Sequence, residues 1–224
     1  NKGTLCKERI NCNIRSLLEL FASCGAKATF FVLGALAEKF PRLIQEISSA
    51  GHRIGSHGFS HTNVFDKDKD DFEGEVRNVT ALLNSLSTRP VESFRAPNWS
   101  INNNSLWALE ILKKYGYKYD SSLTYVNGNC GKKRGNFFEI PRSHINLMGF
   151  NIPFGGGAFL RLYPFSLTKF MIKKTNSKSI PLMMYLHPWE IDKDMPVLRL
   201  GIFNKLAQYG GISSMYFRIK SILR

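Results

Sequence analysis

Apolar residues along this chain alternate between two spacings. Ile14, Leu17, Leu18 and Phe21 recur at helical spacing, Asn11 or Asn13 can cap the start, and Gly25 stands where a helix stops. The pattern predicts a helix of about three turns. "KATFFVL" follows, a short β-rich run suited to a strand buried on both faces. Leu36, Phe40, Leu43, Ile44 and Ile47 restore the helical period as far as Gly51, and "HRIGSH" is a brief strand with His57 at its C-terminal end. Phe72, Val76, Val79, Leu83 and Leu86 mark the next amphipathic helix. Pro90 then opens the strand "ESFRAP", "SLWALEILKKYG" is helical up to Gly116, and "YKYDSS" is the next strand. Short strands alternating with helices predict parallel βα units, either a βα barrel or a doubly wound sheet.

After Ser122 the rhythm breaks. A Gly/Asn/Lys loop covers about 124–136, "FFEIPRS" is a strand, and "NIPFGGGAFLRL" is an irregular glycine loop matching neither GxGxxG nor GxxxxGK[ST]. A helix near 165–175 leads to the strand "PLMMYL", which ends in "HPWE", and the tail from Ser213 forms a last amphipathic helix.

Composition narrows the class without naming a chemistry. With 224 residues and 43% hydrophobic content the chain can bury a substantial core, and no apolar run reaches the ~18 residues of a membrane span. Lys and Arg number 31 against 17 Asp and Glu, a net charge of +14 that favours anionic partners. The basic residues are scattered in small clusters without interleaved aromatics, a pattern that argues against nucleic acid as the partner. Cys6, Cys12, Cys24 and Cys130 show no CxxC pair and no zinc-ribbon spacing, so they are taken as buried or idle thiols. The chain begins at Asn1 with neither a signal nor a transit peptide, leaving cytoplasm and cell envelope both open.

Candidate chemistry collects where parallel βα folds build their sites, at strand ends. His57 and His61 follow one strand, Arg95 another, Asp120 a third and His187 a fourth. Two histidines at i, i+4 meet one ion if the chain turns helically after the first. Ser56 and Gly58 flank His57, so the metalloprotease pattern, which needs Glu there, is absent. Pro97 stiffens the turn after Arg95, with Asn98 and Trp99 lining the site. His187, between an apolar run and Pro188, has the rigid mounting of a general acid. His52 and His144 have no companions and are expected to be surface or hydrogen-bonded histidines, and Asp66, Asp68, Asp70 and Asp71 sit on a solvated helix start.

Together, "KATFFVLG", "HRIGSHGFSH", "FRAPNWSI", "YGYKYDSS" and "YLHPWEID" resemble the polysaccharide deacetylase family, the carbohydrate esterases of family 4 that share the NodB-like homology domain. The branch associated with bacterial exopolysaccharide and exosortase clusters is the most similar. The resemblance implies a distorted (β/α) barrel over 1–192 and a C-terminal extension over 193–224 packed on it. It implies metal-dependent hydrolysis of N-acetyl groups on amino sugars of a bacterial polysaccharide. His57 and His61 would be two of three protein ligands to a divalent metal, zinc foremost, and His187 would protonate the leaving amine. Arg95 would orient a catalytic aspartate, Pro97, Asn98 and Trp99 would form the substrate and oxyanion side, and Asp120 would support from behind. The family's first strand carries two aspartates, a general base and the third ligand. "NKGTLCKERINCN" precedes the first helix here and holds none, so the expectation is an N-terminally truncated domain with its first strand missing. The competing expectations are an inactive glycan-binding homologue and a hydrolase of a non-sugar amide or cyclic ureide.

Overall fold

Alternating apolar segments fold as parallel βα units. The computed structural model describes residues 2–123, 132–147, 149–177 and 182–224. The chain divides into two compact units, one of residues 27–141 and one of residues 1–26 with 142–224.

The chain opens with α1 (Lys2–Ser23), which belongs to the second unit. In the unit of residues 27–141, β1 (Thr29–Val32), β2 (Arg53–Ser56), β3 (Ser93–Phe94) and β4 (Tyr119–Asp120) lie side by side in parallel. β5 (Lys132–Arg134) pairs antiparallel to β6 (Phe137–Glu139), which is parallel to β4, giving the order β1-β2-β3-β4-β6-β5. The connections carry α2 (Gly34–Lys39), α3 (Pro41–Ser49), α4 (Lys69–Leu86) and α5 (Trp107–Lys114).

The helices form where period and caps coincide. Asp68 accepts the Asp71 N–H at 2.8 Å and caps α4, with Asp70 and Asp71 in its first turn, where acidic groups suit the dipole. The inner face of α4 supplies the core residues Phe72, Val76, Val79 and Leu83. The Phe72 ring meets Phe94 of β3 edge-on at 5.9 Å and Trp107 of α5 at 5.6 Å.

β1 is less buried than its apolar run suggests. Thr29, Phe30 and Phe31 are half-buried and only Val32 is buried, because β1 stands at the end of the sheet order and pairs with β2 alone among the described strands.

In the second unit α1 runs well beyond the predicted three turns. Leu5, Lys7, Glu8 and Arg9 are strong helix formers, and their propensity carries the helix past the supposed caps. Asn13 therefore lies on the helix side, where it and Arg9 donate to the Asp192 carboxylate at 3.0 and 2.6 Å. The helix ends as predicted, with Gly25 and Ala26 N–H groups returning to Ala22 and Phe21 carbonyls. β7 (His144–Leu147) and β8 (Phe150–Pro153) form an antiparallel pair, followed by α6 (Gly157–Leu162), α7 (Phe165–Asn176), α8 (Ile202–Tyr209) and α9 (Ile212–Leu223).

Four sequence expectations need correction here, the first being the one helix expected through Leu36 and Ile47, which breaks at Phe40 into α2 and α3 because Pro41 has no N–H to continue the first. The second half of "NIPFGGGAFLRL" is α6 and not loop, and α8 precedes the expected final helix. Across the described part of "PLMMYL", residues 182–186, the backbone makes one isolated bridge, Tyr185 with Gly156, and Met183 N–H goes to Ser143 Oγ at 2.8 Å. Most of the 124–136 loop, residues 124–131, lies outside the described residues, and so do Cys130 and the Cys6 side chain; Cys12 and Cys24 are free thiols, Cys12 exposed. No helix among the described residues is long and apolar enough to cross a membrane.

Phe72 has no exposed surface, so Phe72→Ala is expected to lower unfolding free energy by ~3–5 kcal/mol, read as an earlier urea midpoint.

Candidate functional site

One hydrogen-bond pattern repeats along the carboxyl edge of the parallel sheet. The residue just after each strand donates its N–H to the last carbonyl of the strand before it: His57 to Val32 at 2.9 Å, Arg95 to Ser56 at 3.0 Å, Ser121 to Phe94 at 3.0 Å and Ile140 to Asp120 at 2.7 Å. The register thus lines up the first residues beyond β2, β3, β4 and β6, the edge where α/β folds place ligands.

His57 and His61 meet there, by a route other than the predicted helical turn. Gly58 and His61 both take left-handed conformations, at φ 76° and 63°, and fold the segment back on itself. The two rings stand edge to face with centroids 5.2 Å apart. His57 Nδ1 lies 2.7 Å from the Arg95 carbonyl oxygen. A carbonyl only accepts, so in the neutral ring Nδ1 carries the hydrogen and Nε2 keeps its lone pair, the form that ligates metal. His61 is exposed. The pair therefore suits a divalent ion as two imidazole donors. No cluster of three or more His, Cys, Asp or Glu able to hold one occurs among the described residues.

Arg95 ties this edge together. Its guanidinium carbon lies 4.4 Å from the Phe31 ring centre and 5.7 Å from that of Trp99, and Nη2 donates to Ser121 Oγ at 3.0 Å. Beyond it, Pro97–Trp99 form a single 3-10 turn in which Asn98 and Trp99 both have positive φ, 55° and 52°. A bulky residue held in that region is strained. The turn is held at its base by Ala96 N–H on Ser122 Oγ at 2.8 Å, and at its tip by Asn98 Nδ2 on Asn63 Oδ1 at 2.9 Å.

Asp120 is buried behind this turn. It accepts Ser122 O–H at 2.5 Å and Ser122 N–H at 3.2 Å, while Ser122 Oγ receives Ala96, so the carboxyl supports the Pro97 turn through one serine. Burial pushes the Asp120 carboxyl well above the ordinary carboxylate range, and the charge and hydrogen bond of neighbouring Glu139 push it the same way. Glu139, also buried, accepts Leu123 N–H at 3.1 Å. Glu139, Ser121 and Ser122 were not among the predicted residues. The serines sit in the quoted "YDSS", but a supporting role depends on β4 and β6 being neighbours, which local spacing does not reveal.

His187 belongs to the other unit. It is half exposed, follows the Tyr185 bridge and caps the one-turn 3-10 helix Pro188–Ile191. Its neighbour Glu190, also missed in the sequence although "HPWE" shows it, is fully buried with Oε2 3.4 Å from His187 Nδ1. Of the lone histidines, His52 is buried and accepts Ala28 N–H at 3.1 Å, and burial with the nearby Lys27 charge lowers its pKa. His144 Nδ1 lies 3.3 Å from the Arg142 carbonyl.

The Asp120 geometry sets a pH dependence. The unfolded chain releases this proton near the ordinary value of 3.8 and the folded chain only at higher pH. The folded state then binds more protons, so stability is undiminished below 3.8 and declines as pH rises from there through the folded pKa. Asp120→Asn is expected to flatten that decline in urea titrations run across a pH series.

The profile described as "Polysaccharide deacetylase" matches residues 3–119, and one described as "Domain of unknown function (DUF3473)" matches residues 114–224. A peptidoglycan-N-acetylglucosamine deacetylase of Bacillus cereus is 36% identical over 95 residues, which cover 42% of this chain and 34% of the relative. A peptidoglycan deacetylase of Helicobacter pylori is 33% identical over 112 residues, covering 50% of this chain and 37% of the relative. The matched part thus spans little more than a third of the length of these curated relatives. The solved Puue allantoinase superposes with a TM-score of 0.62 at 17% identity, over 88% of this chain and 64% of that one, a likeness of fold. The parallel α/β sheet is thereby placed with the NodB-like (β/α) barrels, and the profile match spans the strands that carry His57, His61 and Arg95: the chain belongs to the polysaccharide deacetylase family.

Proposed function

We propose that this protein is a metal-dependent deacetylase that hydrolyses N-acetyl groups on amino sugars of a bacterial polysaccharide. The observation that carries the reading is the His57–His61 pair, two imidazoles 5.2 Å apart at the carboxyl edge of the sheet, with His57 Nδ1 turned onto the Arg95 carbonyl. The named deacetylase relatives support the substrate class.

His57 and His61 would hold a divalent ion, zinc foremost, which when bound supplies Lewis-acid polarisation of an acetamide carbonyl. The residues of the chain do the rest. The Pro97–Trp99 turn presents Asn98 and an aromatic wall to the sugar, and Asp120 with Ser122 keeps that turn in its strained form. Arg95 orients the His57 ring through its carbonyl. In the other unit His187, half exposed and mounted on a rigid turn, has the form of a proton donor for a leaving amine. The excess of basic side chains suits an anionic polymer such as an envelope or extracellular polysaccharide.

A second reading, a glycan-binding homologue without hydrolysis, is favoured by the ligand set, which among the described residues stops short of three clustered donors. One experiment separates the two. Full-length protein is expected to release acetate from N-acetylglucosamine oligomers, to stop when treated with chelator, and to recover with added zinc. Removal of outer partners of a metal site typically costs 10–100-fold, so His61→Ala, which removes a ligand, is expected to cost at least ~100-fold. Oligomer binding without acetate release, unchanged by chelator, identifies the glycan-binding homologue.

A further inference from the structure

The side chains around His187 form a closed network that its own turn does not require. Glu190 Oε2 accepts His187 N–H at 2.8 Å, which already satisfies the cap of the Pro188–Ile191 turn. The same oxygen also lies 3.4 Å from His187 Nδ1, and Oε1 accepts Arg161 Nε at 2.9 Å. Arg161, itself 3% exposed, donates three more hydrogen bonds, to the carbonyls of Ala207, Gln208 and Gly210 at the end of α8. These are the orphan carbonyls of a helix terminus, where a guanidinium is well placed. Gly211 lies so close to the Arg161 carbonyl that a Cβ there would overlap it. The His187 ring is also held on its faces: Trp189 stacks on it at 5.7 Å and 18°, Tyr185 meets it edge-on at 6.1 Å, and the Arg161 guanidinium lies 5.0 Å from the Trp189 ring centre.

We infer that Glu190, anchored by Arg161 to the end of α8, is the positioning residue for His187, holding Nδ1–H inward so that Nε2 faces outward as the proton-carrying nitrogen. The inference rests on the proposed deacetylase role of His187. Burial opposes the Glu190 charge, but bonds from His187 and Arg161 outweigh it and hold the carboxyl below its ordinary range. An ionised carboxylate only accepts, so it selects the Nδ1–H form of the neutral imidazole. The proton donor is the doubly protonated ring: Nε2 gives its proton to the departing amine, and what remains is the neutral Nδ1–H form that Glu190 already accepts from, so the ring need not reorient, and the tie to Arg161 makes the segment through Gly211 part of that fixation.

The test is made on the full-length protein with Glu190→Gln and Glu190→Leu. Leu leaves the buried Arg161 charge without its partner and is the variant that can fail to fold. Gln keeps an acceptor oxygen for Arg161 and places an amide NH2, a donor, in the position of Oε2, so that it faces the ring and the His187 N–H and removes the acceptor from both. Nitrogen-15 spectra of the His187 ring are expected to show Nδ1–H in the wild type and Nε2–H in Glu190→Gln. Amide and activated ester provide the kinetic arm. Protonating an amine leaving group is worth ~10²–10⁴-fold, whereas an activated aryl acetate leaves unaided. Glu190→Gln is therefore expected to lose ~10-fold or more in kcat on N-acetylglucosamine oligomers, with KM little changed, and to keep aryl acetate hydrolysis within about twofold. An unchanged tautomer in Glu190→Gln, or equal losses on amide and ester, overturns the inference. The expected tautomer change in a wild type that releases no acetate upholds the positioning of the ring and overturns the deacetylase reading instead.

Discussion

Parallel strand register is the constraint on which the candidate site depends. Each strand end in the unit of residues 27–141 is pinned by an N–H to the last carbonyl of its neighbour, from His57 on Val32 to Ile140 on Asp120. Parallel pairing makes the step from strand to strand regular, so one slipped register would separate His57 from Arg95 and Ser121 from the Arg95 guanidinium. Close packing holds the register in turn. Gly55 of β2 has no side chain because a Cβ would stand 2.8 Å from the Phe31 ring and 3.0 Å from the Ser93 carbonyl.

On that edge, stored strain and buried charge serve the same end. Asn98, Trp99 and His61 all hold positive φ, a conformation that the surrounding hydrogen bonds have to maintain. The Pro97 turn hangs from Ser122, and Ser122 hangs from Asp120, a buried carboxyl that its burial and neighbouring Glu139 hold well above the ordinary carboxylate range. His187 follows a parallel logic in the other unit, where a buried Glu190–Arg161 pair stands behind an exposed imidazole. In both places a polar group sealed from water fixes one that meets it. Buried polar networks specify geometry because each member has few alternatives.

Some features were legible in the sequence because they are local. Helical period located α4, α5, α7 and α9, glycine stops located helix ends, and apolar runs located β1 and β2. The histidine pair, the arginine at a strand end and "HPWE" were visible as residue types at strand termini, and their order carried the family resemblance. α1 exceeded its predicted length because helix propensity prolonged it beyond its apolar period, and α8, only eight residues long between Gly201 and Gly210, carries an apolar face that the structure leaves exposed.

The sequence by itself determined the α/β class, the family and the identity of the chemical side chains, since these rest on periodicity and on residues set a few positions apart. Only the tertiary structure decided how those side chains are held. That His57 carries its hydrogen on Nδ1 depends on a carbonyl 38 residues away in sequence. That Asp120 is buried beside Glu139 depends on β4 pairing with β6, and that Glu190 meets Arg161 depends on α6 packing behind the Pro188 turn. Protonation, tautomer and strain are set by partners distant in the chain, which no local pattern can specify.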